Sequence, residues 1–238
     1  MTYTKRFDGR EFDETRKIEA KVGVVPNADG SAYFSFGDTK AIAAVYGPRT
    51  LHPQHLKNPQ KGVLRCHYDM ISFSVTERKK PGPSRRSSEI SLVTSQALSS
   101  MVHLDNFPNS VIDVFITVIQ ADASTRCAGI NAASMALAHA GIPMNGLVSS
   151  VSVGNIGGSI AVDLIKEEED YEEDGEKYAT DTPMAFLQDG RISLLQLDGK
   201  TTPEMLKKAI KAGREACMKI TELQRSVLKS VEEEKEKK

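Results

Sequence analysis

The sequence predicts an α/β (α+β) fold in which mixed β-sheets pack against helices. Three observations favour this class. Alternating apolar residues dominate the first third of the chain, two apolar helical segments flank one strand in the middle, and hairpin-like segments precede a long terminal helix. We see no Gly-, Pro- or Ser-rich linker between these segments. We therefore expect a single domain over residues 1–238, with an N-terminal half of about 1–146 and a C-terminal half of about 147–238.

The composition is that of an ordinary cytoplasmic globular protein. Hydrophobic residues make up 39% of the chain and charged residues 26%. The longest apolar runs are too short to span a membrane, and the first residues carry no apolar signal segment, so we expect no membrane partner. Three widely spaced cysteines argue against a disulfide framework or a zinc site. Because the net charge is −1, an anion-binding surface would need local clustering of basic residues.

The N-terminal segments alternate as strands do. Residues 18–25 and 32–36 flank a turn at residues 27–30 and predict a hairpin. Residues 39–46 predict a third strand that ends at Gly47-Pro48, and residues 49–62 predict a long exposed loop. A fourth strand is predicted over residues 63–76.

The middle of the chain alternates between helix and strand. A basic loop interrupted by prolines covers residues 77–86, and apolar residues at helical spacing predict an amphipathic helix over residues 89–104. Residues 111–119 form an apolar strand pattern. The Ala-rich segment 127–138 predicts a second helix, which ends before Gly141.

The C-terminal half predicts two hairpins and a closing helix. The first hairpin joins residues 147–153 to 159–165, and the second joins 184–187 to 192–197. The closing helix begins at Thr201-Thr-Pro-Glu204, where a capping box coincides with an early proline. We expect a disordered charged tail near residues 232–238.

The most informative motif is Ser124-Thr125-Arg126, which lies where the apolar strand passes into the second helix. The free N–H groups and the dipole at a helix start favour anions, and Ser or Thr is a preferred N-cap. The planar guanidinium of an arginine suits phosphate oxygens. The motif therefore indicates a phosphate cradle, although a purely structural cap fits the same residues.

Further basic residues could contact a phosphodiester backbone. Arg85 and Arg86 precede the amphipathic helix, and Arg65 shares one strand face with His67 because alternate residues of a strand point the same way. A solvated basic loop is an equally good interpretation of the arginine pair. A surface ion pair explains Arg65 at least as well.

The acidic residues offer general acids or ligands for a divalent cation. They comprise a run over residues 167–176, which includes Asp170 and Asp174, and the separate Asp181. Most of the run is expected to lie in an exposed loop because burying so many like charges is prohibitive. The five histidines show no metal-binding pattern. The sequence contains neither the phosphate-binding loop of P-loop nucleoside triphosphatases nor a dinucleotide-binding fingerprint.

Taken together, the motifs of the chain resemble those of the RNase PH family, and specifically of the catalytic RNase PH-like subunit of the archaeal exosome. The matching segments run in family order across nearly the whole chain: Phe7-Asp-Gly-Arg10, Asn27-Ala-Asp-Gly-Ser-Ala32, Gly37-Asp-Thr-Lys-Ala-Ile-Ala-Ala-Val-Tyr-Gly-Pro48, Pro83-Ser-Arg-Arg86, Gln120-Ala-Asp-Ala-Ser-Thr-Arg126 and Ala140-Gly-Ile-Pro143. The resemblance implies an RNase PH-type fold, similar to the second domain of ribosomal protein S5.

The resemblance also implies roles for individual residues. Inorganic phosphate, the co-substrate, would be held by Arg86, Ser124, Thr125 and Arg126, and the RNA backbone would be steered by Arg65 and Arg85. The family places two aspartates six residues apart at the scissile phosphate, where they act as acid or bind Mg²⁺ or Mn²⁺. Asp181 fits the second position. Because the residue six before it is Gly175, Asp174 and Asp170 compete for the first, and Asp174 and Asp181 are the candidate metal ligands.

The implied activity is 3′→5′ exoribonucleolytic decay by phosphorolysis, with release of nucleoside diphosphates from single-stranded RNA 3′ ends. The implied assembly is a hexameric ring of three heterodimers with an inactive RNase PH-like paralogue, capped by RNA-binding subunits. One alternative is a homohexameric RNase PH that trims tRNA 3′ ends. An alternative of another class is a non-catalytic scaffold subunit that only shapes an RNA channel.

Overall fold

The first of two main sheets is formed by the N-terminal part of the chain. A computed structural model describes residues 4–173, 176–177 and 179–236. The sheet contains β1 (Ile18–Val22), β2 (Gly30–Phe36), β3 (Thr39–Thr50), β4 (Val63–Met70) and β5 (Ser110–Gln120). Its strand order is β1-β2-β3-β5-β4, and only β4 and β5 run parallel. The predicted N-terminal hairpin is confirmed as β1 and β2.

The second sheet is antiparallel and belongs to the C-terminal part. It contains β6 (Val148–Ile156), β7 (Ser159–Val162), β10 (Ala179–Leu187) and β11 (Ile192–Leu195), in the order β11-β10-β6-β7. A separate short pair, β8 (Glu172–Glu173) and β9 (Glu176–Lys177), lies between β7 and β10 in the chain. Both predicted C-terminal hairpins are therefore present.

Within the described residues, four α-helices pack on these sheets: α1 (Arg85–Ser99), α2 (Thr125–His139), α3 (Lys166–Glu169) and α4 (Pro203–Glu236). Most of α2 is buried, because its small side chains let it pack against both sheets at once. Gly30 shows how closely β2 approaches the end of α2: a Cβ there would lie 2.4 Å from the Ala136 carbonyl oxygen. One continuous apolar core therefore joins the two sheets around α2.

Strand β3 does not end where the sequence predicts. It continues through Gly47-Pro48, a cis peptide, to Thr50. The register with β5 shifts between Tyr46 and Arg49, so the glycine and proline are accommodated as an irregularity inside the strand. The Gly47 N–H donates to the Asp29 carboxylate at 2.8 Å instead of to a neighbouring strand.

Helix α1 begins four residues earlier than predicted and ends five residues earlier. Ser84 caps it in a reciprocal box: the Ser87 N–H donates to Ser84 Oγ at 3.1 Å, and the Ser84 N–H donates to Ser87 Oγ at 2.7 Å. Arg85 and Arg86 are consequently the first residues of the helix and not part of the preceding loop. The fourth strand is shorter than predicted, because β4 ends at Met70.

Helix α4 includes residues 232–236, which the sequence placed in a disordered tail. At its start Pro203 is the first helical residue, and the cap is Thr202: its Oγ1 accepts from the Met205 N–H at 3.3 Å. The cap therefore lies one residue after the predicted box of Thr201 and Glu204. Among the helices of the described residues, none is long and apolar enough to cross a membrane.

The acidic run is not simply a solvated loop, which corrects the prediction for its first residues. Residues 166–169 form α3, and Glu168 is wholly buried against Arg6. The Arg6 guanidinium donates to both carboxylate oxygens, at 2.9 Å from Nε and 2.7 Å from Nη2. A bidentate pair of this kind satisfies both ions, so one acid of the run can be buried.

Candidate active site

A cavity of about 1020 Å³ lies where the starts of α1 and α2 approach α3 and β10. Most of the candidate residues from the sequence line it: Arg86, Ser124, Thr125, Arg126, Asp170 and Asp181. These residues come from four elements that are far apart in the sequence. The fold therefore brings basic groups and carboxylates to one opening, which is the arrangement expected for a site that handles phosphate groups.

The turn before α2 is held in an unusual backbone shape. Ala123 and Ser124 both have positive φ angles, 55° and 50°. Ser124 occupies the N-cap position but makes no side-chain capping bond, contrary to the prediction. Its Oγ donates instead to Asp163 Oδ1 at 3.1 Å, and Asp163 is also bound by Arg16 at 2.7 Å. The Ser124 hydroxyl thus anchors the turn, and Ser124 is one of the residues that line the cavity at the start of the helix.

Arg126 is the second residue of α2 and is largely buried. Its Nη1 donates to the Gln196 side-chain oxygen, and its Nη2 lies 3.6 Å from Glu89 Oε1. Its Nε is buried and has no hydrogen-bond partner among the described residues. A buried cationic donor without an acceptor is costly. Arg126 itself is one of the residues that line the cavity, so its guanidinium lies where an anion would bind.

The two neighbouring arginines of α1 differ in position. Both are exposed, but only Arg86 borders the cavity, and Arg85 is not among the described residues that line it. The loop before α1 and helix α3 add three more basic residues at the rim, which the sequence analysis did not single out: Arg78, Lys79 and Lys166. The opening is therefore ringed by more positive charge than the predicted residues alone supply.

Arg65 lies on the first sheet and is not among the described residues that line the cavity. Its Nε donates to Asp113 Oδ1 at 2.6 Å across β4 and β5. His67 is on the same strand face, as predicted, and stacks on Phe115 with ring centroids 4.8 Å apart. The ion-pair interpretation of Arg65 describes this geometry, and its role toward RNA stays a prediction.

Of the two described candidate aspartates, Asp181 is the more firmly positioned. It lies in β10, opposite Gly154 of β6, and its backbone exchanges hydrogen bonds with Asp198 at 3.0 and 2.8 Å. The Ser152 hydroxyl donates to its carboxylate. The backbone is therefore fixed, as the sequence led us to expect.

The other two candidate aspartates are less constrained or lie elsewhere. Asp170 is exposed and forms an ion pair with Lys166 at 2.7 Å. Asp174 lies outside the described residues. The choice between them as the partner of Asp181 therefore stays open.

Glu169 lines the same cavity, although the sequence analysis did not select it. Burial, followed by the charge of Asp181, raises the pKa of its carboxyl to about 7. The nearby Lys166 and Arg86 oppose that rise. No sequence signal separates Glu169 from its acidic neighbours, because only the α3 turn decides which carboxylate enters the cavity.

Carboxylate oxygens are the ligands that Mg²⁺ and Mn²⁺ prefer, and Asp181, Glu169 and Asp170 supply them at one opening. Among the described residues, however, no group of three or more His, Cys, Asp or Glu side chains is close enough to hold a metal ion. The site therefore offers a divalent cation at most two ligands of the His, Cys, Asp or Glu type among the described residues.

Comparison with known proteins assigns the chain to a family. Residues 14–143 match domain 1 of the 3′ exoribonuclease family RNase PH, and residues 146–216 match its domain 2. The exosome complex component Rrp41 of Pyrococcus furiosus is 51% identical over 94% of this chain and 88% of its own length. Rrp41 of Archaeoglobus fulgidus is 46% identical, over 94% and 86%. The crystal structure of rice Rrp46 covers 94% of this chain and all of its own, with a TM-score of 0.83 and 25% identity. The chain therefore belongs to the RNase PH family of 3′ exoribonucleases and has that family's fold.

Proposed function

We propose that this protein degrades RNA from the 3′ end by phosphorolysis, as the catalytic RNase PH-like subunit of an exosome. The observation that carries the proposal is that Arg126, at the start of α2, lines the cavity while its Nε has no hydrogen-bond partner among the described residues. Arg86 borders the same cavity. Together the two arginines and the helix start suit one tetrahedral phosphate.

The chemistry follows from this placement. A phosphate oxygen held by Arg126 and Arg86 attacks the phosphorus of the last phosphodiester. The bond from that phosphorus to the 3′-oxygen breaks, and a nucleoside diphosphate leaves. The arginines stabilise the negative charge that gathers in the transition state. Asp181, fixed in β10, supplies the proton to the departing 3′-oxygen.

Recognition of RNA is expected to involve phosphate and sugar more than base edges, so sequence preference should be weak. Arg65 and Arg85 are proposed to contact the backbone outside the cavity. Mg²⁺ or Mn²⁺ is proposed as an accessory cation that would neutralise phosphate charge at Asp181 and its acidic partner.

The proposed assembly follows from the relatives that carry the name of an exosome component. We propose a hexameric ring in which this chain alternates with an inactive RNase PH-like paralogue, with RNA-binding cap subunits, in the cytoplasm. The scaffold alternative is disfavoured, because a non-catalytic subunit has no need to bring Arg86, Arg126 and Asp181 to one cavity.

The experiment uses the complex purified from cells through a tag on this chain. Its decay of a single-stranded RNA should require inorganic phosphate and should run backwards when nucleoside diphosphates are supplied. Robust release of nucleoside monophosphates in phosphate-free buffer would contradict the proposal.

A further inference from the structure

The guanidinium of Arg126 is held by two side chains from other parts of the chain. Gln196 Oε1 accepts from Nη1, and Glu89 Oε1 lies 3.6 Å from Nη2. Gln196 Nε2 in turn donates to the same Glu89 oxygen at 2.8 Å. The three side chains therefore close a triangle, which we call the Arg126 bracket.

Two members of the bracket, Arg126 and Glu89, come from the two helices whose first turns line the cavity, and the third, Gln196, is tied to β10. Glu89 lies one helical turn after Arg86 on α1, on the same face of the helix. Gln196 follows β11, and its backbone N–H donates to the Pro183 carbonyl at 3.0 Å, two residues after Asp181. The bracket thus ties the phosphate-binding helix to the strand that carries the candidate acid.

The bracket leaves part of the guanidinium free. An arginine has five N–H donors in a fixed plane. The bracket takes one hydrogen bond from Nη1 and a longer ion-pair contact at Nη2. The buried Nε–H keeps no partner among the described residues. A flexible side chain held in one orientation before its ligand arrives loses less entropy on binding, which strengthens the binding.

We propose that Gln196 and Glu89 are positioning residues that hold Arg126 in the orientation in which it receives phosphate. The inference rests on the proposed phosphorolytic function and deepens it. Gln196 contributes more than Glu89 to this positioning, because a neutral amide binds the arginine without repelling an incoming anion. Glu89 is about half exposed, so its contact contributes less.

The test measures phosphate-dependent RNA decay by the tagged complex with Gln196→Leu, which removes both side-chain bonds at similar size. We expect the KM for phosphate to rise about tenfold or more, as for loss of a hydrogen bond to a charged group, with kcat changed less and the affinity for RNA unchanged. Glu89→Ala should raise the KM about threefold. The matched control is Gln188→Leu. When the Gln188 amide is turned to satisfy its hydrogen bonds, its oxygen accepts from Arg225 Nη2 at 2.9 Å, a similar contact outside the cavity. This variant should leave the KM unchanged.

Arg126→Lys supplies the second measurement, since a residue that acts through Arg126 should lose its effect once the arginine fork is absent. Gln196→Leu should therefore add less than about twofold to the KM in the Arg126→Lys background. Two results would overturn the inference. One is a wild-type KM in Gln196→Leu, and the other is a lowered KM in Glu89→Ala, which would show that Glu89 competes with phosphate. If the wild-type complex shows no phosphate dependence, the proposed function fails and the inference fails with it.

Discussion

Replacement of Glu168 by alanine should cost about 3–5 kcal/mol of stability, the usual cost of leaving a buried ion without its partner. Glu168 and Arg6 are both wholly buried. The remaining Arg6 donors bind the carbonyls of Val162 and Asp163, each at 2.8 Å. These backbone bonds hold the guanidinium in place, so it cannot reach water when the carboxylate is removed. We therefore expect the upper part of the range.

The assay is thermal unfolding of the purified chain. Each kcal/mol lowers Tm by about 2–4 °C in a chain of this length, so a loss of about 4–5 kcal/mol in Glu168→Ala should lower it by about 8–20 °C. Glu167→Ala is the matched control, because Glu167 is the exposed neighbour in the same helical turn and has the same charge. If both variants unfold within about 2 °C of each other, the buried ion pair does not stabilise α3 as argued.

Three further predictions concern the cavity. Arg126→Lys should lose on the order of 10²-fold or more in rate, because lysine cannot form the paired bonds of the guanidinium; near-normal turnover and phosphate affinity would make the arginine structural. Asp181→Asn and one of Asp174→Asn or Asp170→Asn should abolish decay in single-turnover assays while RNA binding persists; full activity in all three variants would exclude an aspartate as the acid. The raised pKa of Glu169, about 7 against an ordinary 4.5, means that the folded chain keeps a proton which the unfolded chain releases. The contribution of this protonated carboxyl to the stability of the folded chain is complete below pH 4.5 and is lost as the pH rises through 7. Thermal unfolding at pH 5 and 8.5 tests this: the free energy of unfolding of Glu169→Gln should exceed that of wild type by up to about 3 kcal/mol at pH 8.5 and by little at pH 5. Equal differences at the two pH values would contradict the raised pKa.

The periodicity of the sequence predicted most of the strands and helices, because local alternation decides them. Its errors arose where distant residues intervene. Strand β3 passes through Gly47-Pro48 because β5 continues beside it, and the prolines and glycines of a sequence do not reveal such a neighbour. Local chemistry was also decisive at α1, where the Ser84 and Ser87 box sets the start and places Arg86 in the helix.

The candidate site was predictable to the extent that its residues lie in recognisable motifs. The side chains that support those residues were not. Glu168 is buried because of an arginine 162 residues away, and Gln196 reaches Arg126 across 70 residues. The hydroxyl of Ser124 binds Asp163, although a serine at a helix start ordinarily predicts a cap. Such pairings depend on the tertiary fold, and no spacing in the sequence encodes them.

The most direct test of the central claim follows the phosphate itself. The tagged complex would be supplied with single-stranded RNA and ³²P-labelled inorganic phosphate, and its nucleotide products would be separated. Phosphorolysis predicts that the label appears in nucleoside diphosphates, because the attacking phosphate becomes their terminal group, and that Arg126→Lys strongly reduces this transfer. Unlabelled nucleoside monophosphates as the main product would show that water is the nucleophile and would contradict the account.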